Sequence, residues 1–266
     1  MARQHSHLLF TLWSSASLWI CIIFNPSLPT QGQVPSSSNY QTPPSRSVLQ
    51  VAQVTFEPPG DGRPDNTAGG ASRDGGTCFQ DAEEGKSQQQ GSVGVTPLMP
   101  VTSQGLTVAE RPTFFVYVPR TSAKQAFFSL RDKDEEYYYQ TTLPLANTPG
   151  IVSVQLPANA PALQIGKTYQ WSFVTICGKN LAVDDPRVEG QIQRIEPNPA
   201  LLRQIEKVSP LERAALFGSN GIWYDTLSNL AELKRAQPGN STLTANWEHL
   251  LKSVGLGAIA TKPFAQ

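Results

Sequence analysis

The chain has little of what most enzyme chemistry is built from. Of its 266 residues only three are histidine and three are cysteine, and Asp, Glu, Lys and Arg together make up 16% against a usual quarter. His5 and His7 fall within the first ten residues, so His249 is the sole histidine beyond them. A histidine-centred metal site needs more ligands than that, and a Ser-His-Asp triad would rest on His249 by itself. There is no C-x-x-C, no G-x-S-x-G, no Walker sequence and no dinucleotide-binding glycine fingerprint after a strand. The 21 Lys and Arg balance 21 Asp and Glu without a basic run, which argues against a nucleic-acid partner, because phosphates require a positive face.

What is present begins with a leader. Arg3, His5 and His7 open the chain without an acid, and Leu8 to Phe24 is mainly apolar, broken by small Ser and Thr. That is the charge-then-apolar order of a secretory signal. The stretch is marginal for a spanning helix and no basic stop-transfer cluster follows, so removal of Met1–Gly32 is preferred over an uncleaved anchor. Thr30 and Gly32 suit a cut before Gln33; Trp19 and Ile20 are too bulky for lipid modification at Cys21. The expected product is exported to the periplasm or beyond, with no stable membrane span.

Cysteine usage agrees with that compartment. Once Cys21 leaves, Cys78 and Cys177 are an even pair in an oxidising space, and a disulfide is the direct reading, with two buried free thiols as the alternative.

Composition divides the rest. Residues 33–92 are rich in Pro, Ser and Gly and read as a disordered or irregular segment. From 93 to 197 short alternating runs predict six or seven strands: Val95–Met99, Thr113–Val118, Ala126–Leu130, Tyr137–Leu143, Ile151–Leu156, Thr168–Cys177 and Val188–Ile195. Prolines 112, 119, 144, 149, 157 and 161 punctuate them, and no helical crossover intervenes. The expected fold class is mainly β with α, an antiparallel immunoglobulin- or fibronectin-like β-sandwich followed by helices. Leu163-Gln-Ile-Gly166-Lys-Thr-Tyr169-Gln-Trp171-Ser-Phe173 resembles the tyrosine corner of such domains, in which a Tyr hydroxyl returns to the backbone. Tyr169, Trp171, Phe173 and Cys177 share a parity and are read as core.

Helical periodicity covers 198–257, a segment expected to dock on the sandwich, with 258–266 as a tail. Asn198-Pro199 starts a first helix with Leu201, Leu202, Ile205 and Val208 on one stripe, and Ser209-Pro210-Leu211-Glu212 is a capping box. Ile222–Ala236 carries Trp223, Leu227, Leu230 and Ala231; Leu243, Trp247, Leu250, Leu251 and Val254 mark the last helix. Trp223 and Tyr224 beside Asp225 would suit a ligand surface, but the stripe makes Trp223 core. Asp225, turned toward the helix start, is expected to be replaceable at about 1 kcal/mol or less.

The order of Arg111-Pro-Thr-Phe-Phe-Val-Tyr-Val-Pro119, Pro149-Gly-Ile151, Tyr169-Gln-Trp171 with Cys177, Val188-Glu-Gly190, Gly221-Ile-Trp-Tyr-Asp225 and Trp247-Glu-His-Leu-Leu251, after a Gly-rich segment with Cys78, resembles a cyanobacterial family of exported proteins catalogued as domain of unknown function 928. The resemblance spans about Gly60 to Pro263. It implies export and a shared fold, and no activity.

Two function classes stay open. The carboxylates Asp132, Asp134, Glu135, Glu136, Asp184 and Asp185 would support a hydrolase of envelope or extracellular polysaccharide only if they flank one groove; a charged hairpin tip is the simpler reading. Asp61, Asp65, Asn66 and Asp74 miss the spacing of the known calcium loop. No catalytic, cofactor-binding or metal-ligating residue is assigned, and the preferred reading is a non-enzymatic module that binds an unknown protein or polysaccharide of the cell envelope.

Overall fold

Runs of β-branched and aromatic residues give way to 3.6-residue periodicity near residue 198, and the architecture changes at the same place. A computed structural model describes residues 53–60, 78–79, 93–132 and 137–265, which belong to one compact unit, Leu49–Gln266. The expected leader over Met1–Gly32 and the oxygen-rich run of Asp61, Asp65, Asn66 and Asp74 lie outside them.

The strands are β1 (Thr96–Pro97), β2 (Gln104–Thr107), β3 (Thr113–Val118), β4 (Gln125–Asp132), β5 (Tyr137–Pro144), β6 (Gly150–Gln155), β7 (Thr168–Ile176) and β8 (Arg187–Arg194). The helices are α1 (Pro199–Ile205), α2 (Pro210–Ser219), α3 (Trp223–Ala236) and α4 (Ser241–Ser253), followed by a short 3-10 turn, Gly257–Ile259. Three strands pair antiparallel in the order β1-β3-β6, and five in the order β2-β8-β7-β4-β5. The second sheet is antiparallel except for β2, which runs parallel to β8 with Gly105 opposite Ile192.

Seven of these strands fall where alternation predicts them. The eighth, β2, was not anticipated: its four residues, QGLT, do not alternate and include a glycine. That glycine is required by what covers it, since a Cβ on Gly105 would stand 2.7 Å from a ring carbon of Tyr224.

Residues 114–118 of β3 are buried throughout, which explains the unbroken apolar run TFFVYV: a strand covered on both faces needs no polar side. On one face Phe114 meets Phe128 of the other sheet at 4.9 Å between ring centroids and Trp171 at 5.6 Å. On the opposite face the Arg235 guanidinium lies 5.7 Å over the Phe115 ring and the Lys262 ammonium 5.9 Å over Tyr117. At the start of β7, Gly166 takes φ +80°, and the Gln164 N–H donates to the Tyr169 hydroxyl at 3.0 Å. The tyrosine hydroxyl thus closes on the backbone five residues upstream.

Helix starts follow their caps. Asn198 accepts from the Ala200 N–H, Asn240 accepts from Thr242 and Leu243, and Ser209 and Glu212 form both halves of the capping box, with Pro210 at the first position. The Ser209 hydroxyl and N–H hold the Glu212 carboxyl below its usual range. Helix α1 stops at Ile205, earlier than the stripe through Val208 implied; it buries Leu201 and leaves Leu202 exposed. Between α3 and α4 the Lys234 ammonium donates to Thr244 Oγ1 at 3.2 Å. Two distant segments close the core. The Val54 N–H donates to Asn246 Oδ1 at 2.7 Å, across 192 residues. The tail over 258–266 is tied down as far as it is described: Ile151 N–H donates to Pro263 O at 2.8 Å, Ala265 N–H donates to Ile151 O at 2.9 Å, and the Phe264 ring lies 5.1 Å from Trp247. Among the described residues no helix is long and apolar enough to cross a membrane.

Candidate functional site

The aromatic-acid triplet at the start of α3 is where sequence offered a choice between site and core. Gly221, at φ +71°, turns the chain sharply between α2 and α3. Trp223 is fully buried, its indole N–H donates to Leu98 O at 2.9 Å, and Phe56 meets it edge-on at 4.9 Å. The Tyr224 hydroxyl accepts from the Trp171 indole N–H at 2.7 Å and donates to Gln191 O at 3.0 Å; burial pushes its pKa far above the tyrosine range. Trp171 is itself seated against Gly190, where a Cβ would fall 2.7 Å from the indole. Both aromatics are core.

Asp225 departs from expectation. It is 9% exposed, and its Oδ2 accepts from the Thr107 hydroxyl at 2.7 Å and the Val108 N–H at 3.1 Å. It holds the end of β2 rather than the start of its own helix, so its removal should leave buried donors without an acceptor and should cost more than about 1 kcal/mol. Burial pushes its pKa from 3.8 up to about 6, against the pull of those hydrogen bonds. The sequence carried no sign of this because the partner strand, β2, was itself unmarked.

Beside Asp225 opens a cleft of about 320 Å³ lined by Ile205, Glu206, Arg213, Phe217, Asp225 and Asn229. The Arg213 Nε is buried without a hydrogen-bond partner. The Asn229 amide donates to Asp225 O at 2.8 Å. These residues come from three helices, and nothing in their spacing groups them.

The other concentration of features is at the disulfide. Cys78 and Cys177 are bonded, with Cα atoms 5.3 Å apart across 99 residues. Cys78 O accepts from Thr121 Oγ1 at 2.9 Å and from the Ser122 N–H at 2.8 Å, fixing it to the β3–β4 loop. The β7–β8 loop is folded around a single carboxylate: Asp185 accepts from the Cys177 N–H at 3.1 Å and from the Ala182 N–H at 2.8 Å. The Arg187 guanidinium donates to Val183 O at 2.8 Å. So held, the loop presents Leu181 at 48% and Val183 at 90% exposure. The β5–β6 loop joins the same end, where Lys124 donates to Asn147 Oδ1 at 2.6 Å. A small cleft of about 90 Å³ runs between the β3–β4 and β7–β8 loops, lined in part by Lys124, Cys177 and Gly178.

Among the described residues the two carboxylate groups are not brought together. Asp132 pairs with Tyr169 at one end of β7, while Asp185 is bonded to Cys177 beyond its other end. Eight residues of extended chain separate those ends by about 26 Å, far more than the roughly 5 to 10 Å of a glycosidase pair. Asp184 is exposed, and Asp134, Glu135 and Glu136 lie outside the described residues. His249 is half-buried on α4, next to Glu248, whose carboxylate is taken by Lys252 at 2.9 Å. Among the described residues no three His, Cys, Asp or Glu side chains gather into a metal-binding group.

None of the curated proteins compared with the chain matches it. A family model described as Domain of Unknown Function (DUF928) matches residues 68–264.

Proposed function

The chain therefore belongs to the DUF928 family, and from that premise we propose that it is an exported, non-enzymatic interaction module. It binds a protein or polysaccharide of the cell envelope through the loops 119–124, 145–149 and 177–186. The observation that carries this reading is the β7–β8 loop. Apolar side chains at 48% and 90% exposure, Leu181 and Val183, stand on a backbone fixed by Asp185, Arg187 and a disulfide. A loop that is ordered before it meets a partner loses little conformational freedom on binding.

The strand orders support an immunoglobulin- or fibronectin-like sandwich, as does the tyrosine hydroxyl closed on the backbone ahead of β7. In that architecture the loops clustered at one end are a common binding surface. Export is supported by the basic-then-apolar leader and by the disulfide, which persists in oxidising compartments. The placement of Asp132 and Asp185 at opposite ends of β7, about 26 Å apart along an extended strand, speaks for binding over sugar hydrolysis by that pair.

The test is capture from envelope fractions with the mature chain as bait, beside a variant carrying Leu181→Asp and Val183→Asp. The wild type should retain a partner that the variant loses while both melt at the same temperature. Equal capture by both, or a natural protein recovered from the cytosol with Arg3 intact, would overturn the reading.

A further inference from the structure

We propose that the cleft between α1, α2 and α3 binds a small zwitterion of the α-amino-acid class, its carboxylate on Arg213 and its ammonium group on Asp225 and Glu206. Opposite charges line this cleft without neutralising one another: among the described residues none of the three takes part in a salt bridge. The Arg213 Nε–H has no acceptor within the protein, and no protein carboxylate pairs with its guanidinium, so its charge is left for a ligand to meet. Asp225 is fixed from the protein side, its Oδ2 already engaged by Thr107 and Val108, so it meets the cleft as a positioned acceptor. A carboxylate that has lost most of its water gains more than an exposed one from an approaching cation.

The complement to a guanidinium and a carboxylate that face one space without an ion-pair partner is a molecule with a carboxylate at one end and an ammonium at the other. Phe217 and Ile205 supply the apolar wall, which suits an aliphatic side chain on that zwitterion. At about 320 Å³ the space is at the small end of ligand sites, which suits an amino acid. Lone anions are disfavoured, because Glu206 and Asp225 outnumber Arg213; lone cations leave the Arg213 donor unsatisfied.

The probe is L-leucine, titrated calorimetrically into the mature chain, with isoamylamine and 4-methylpentanoate as versions that keep the side chain and one charge each. Saturable binding of leucine is expected, weakened at least roughly tenfold when either charge is missing and by a similar factor in Arg213→Met. An amide-correlation spectrum of the unmodified chain needs no variant: leucine should shift signals of Phe217, Asp225 and Asn229. No saturation at about 10 mM, equal binding of isoamylamine, or shifts confined to other surfaces would overturn the assignment.

Discussion

Replacing Asp225 by Asn separates the charge of this residue from its role as an acceptor. The Asn carbonyl can still take the Thr107 hydroxyl and the Val108 N–H that Oδ2 now accepts, while the variant has no proton to lose. In the wild type burial raises the carboxyl from 3.8 to about 6. Below 3.8 folded and unfolded chains both hold the proton, and the group is neutral to stability. Between 3.8 and about 6 the folded chain binds a proton that the unfolded chain has released, so stability falls as pH rises. Above 6 the loss is complete, at about 3 kcal/mol. Asn escapes that loss. The stability of Asp225→Asn relative to wild type should therefore rise by about 2 kcal/mol between pH 4.5 and 7.5, read by urea denaturation of the disulfide-intact chain. Other titrating groups cancel in the difference. Asp225→Ala, by contrast, removes the acceptor as well and should cost about 2 to 4 kcal/mol near pH 4.5, where the charge penalty is smallest. A wild-type-to-Asn difference that is flat across this range, or that moves the other way, would refute the account of Asp225 as a buried acid strained by its own ionisation.

Two further outcomes test the frame around it. Non-reducing mass spectrometry should recover the peptides of Cys78 and Cys177 linked, and replacing both by Ser should cost about 4 to 5 kcal/mol on the chain-entropy model for a loop of 99 residues; unchanged denaturant stability would deny the bond a role. Trp223 and Trp247 are both fully buried, but only the Trp223 indole N–H has a partner, Leu98 O. Trp223→Phe should thus cost about 1 to 2 kcal/mol more than Trp247→Phe in the same assay, and equal costs would mean that the hydrogen bond to Leu98 contributes nothing.

Much of the frame was legible because alternation and caps are local. Thr113–Val118 and the Ser209–Glu212 capping box can be read from a few adjacent residues, and both stand where they were expected. Trp223 could be assigned to the core from Leu227, Leu230 and Ala231 on its own helix face. What stayed hidden depends on partners far along the chain. Strand β2 exists because β8 offers an edge and Tyr224 needs a glycine beneath it. Asp225 could not be read as buried without β2, since its acceptor role is set by Thr107, 118 residues away. Asp185 looked like one of an exposed acidic pair beside Asp184; only the loop geometry shows it turned inward onto two N–H groups. The cleft of Arg213 and Asp225 had no local signal at all, because helix packing alone brings its walls together.

The bond pattern around Ile151 also fixes the order of events in time. Ile151 exchanges hydrogen bonds with Pro263 and Ala265, so the outer edge of β6 is met at Ile151 by residues made more than a hundred positions later. A chain that emerges from a ribosome or a translocation channel in N-to-C order exposes that edge throughout its passage. An exposed edge strand is a template for pairing with a neighbour, and contacts of such long sequence separation form slowly. The molecule is therefore most vulnerable to aggregation while it is being delivered, and a shielding chaperone would matter more before residue 265 arrives than after.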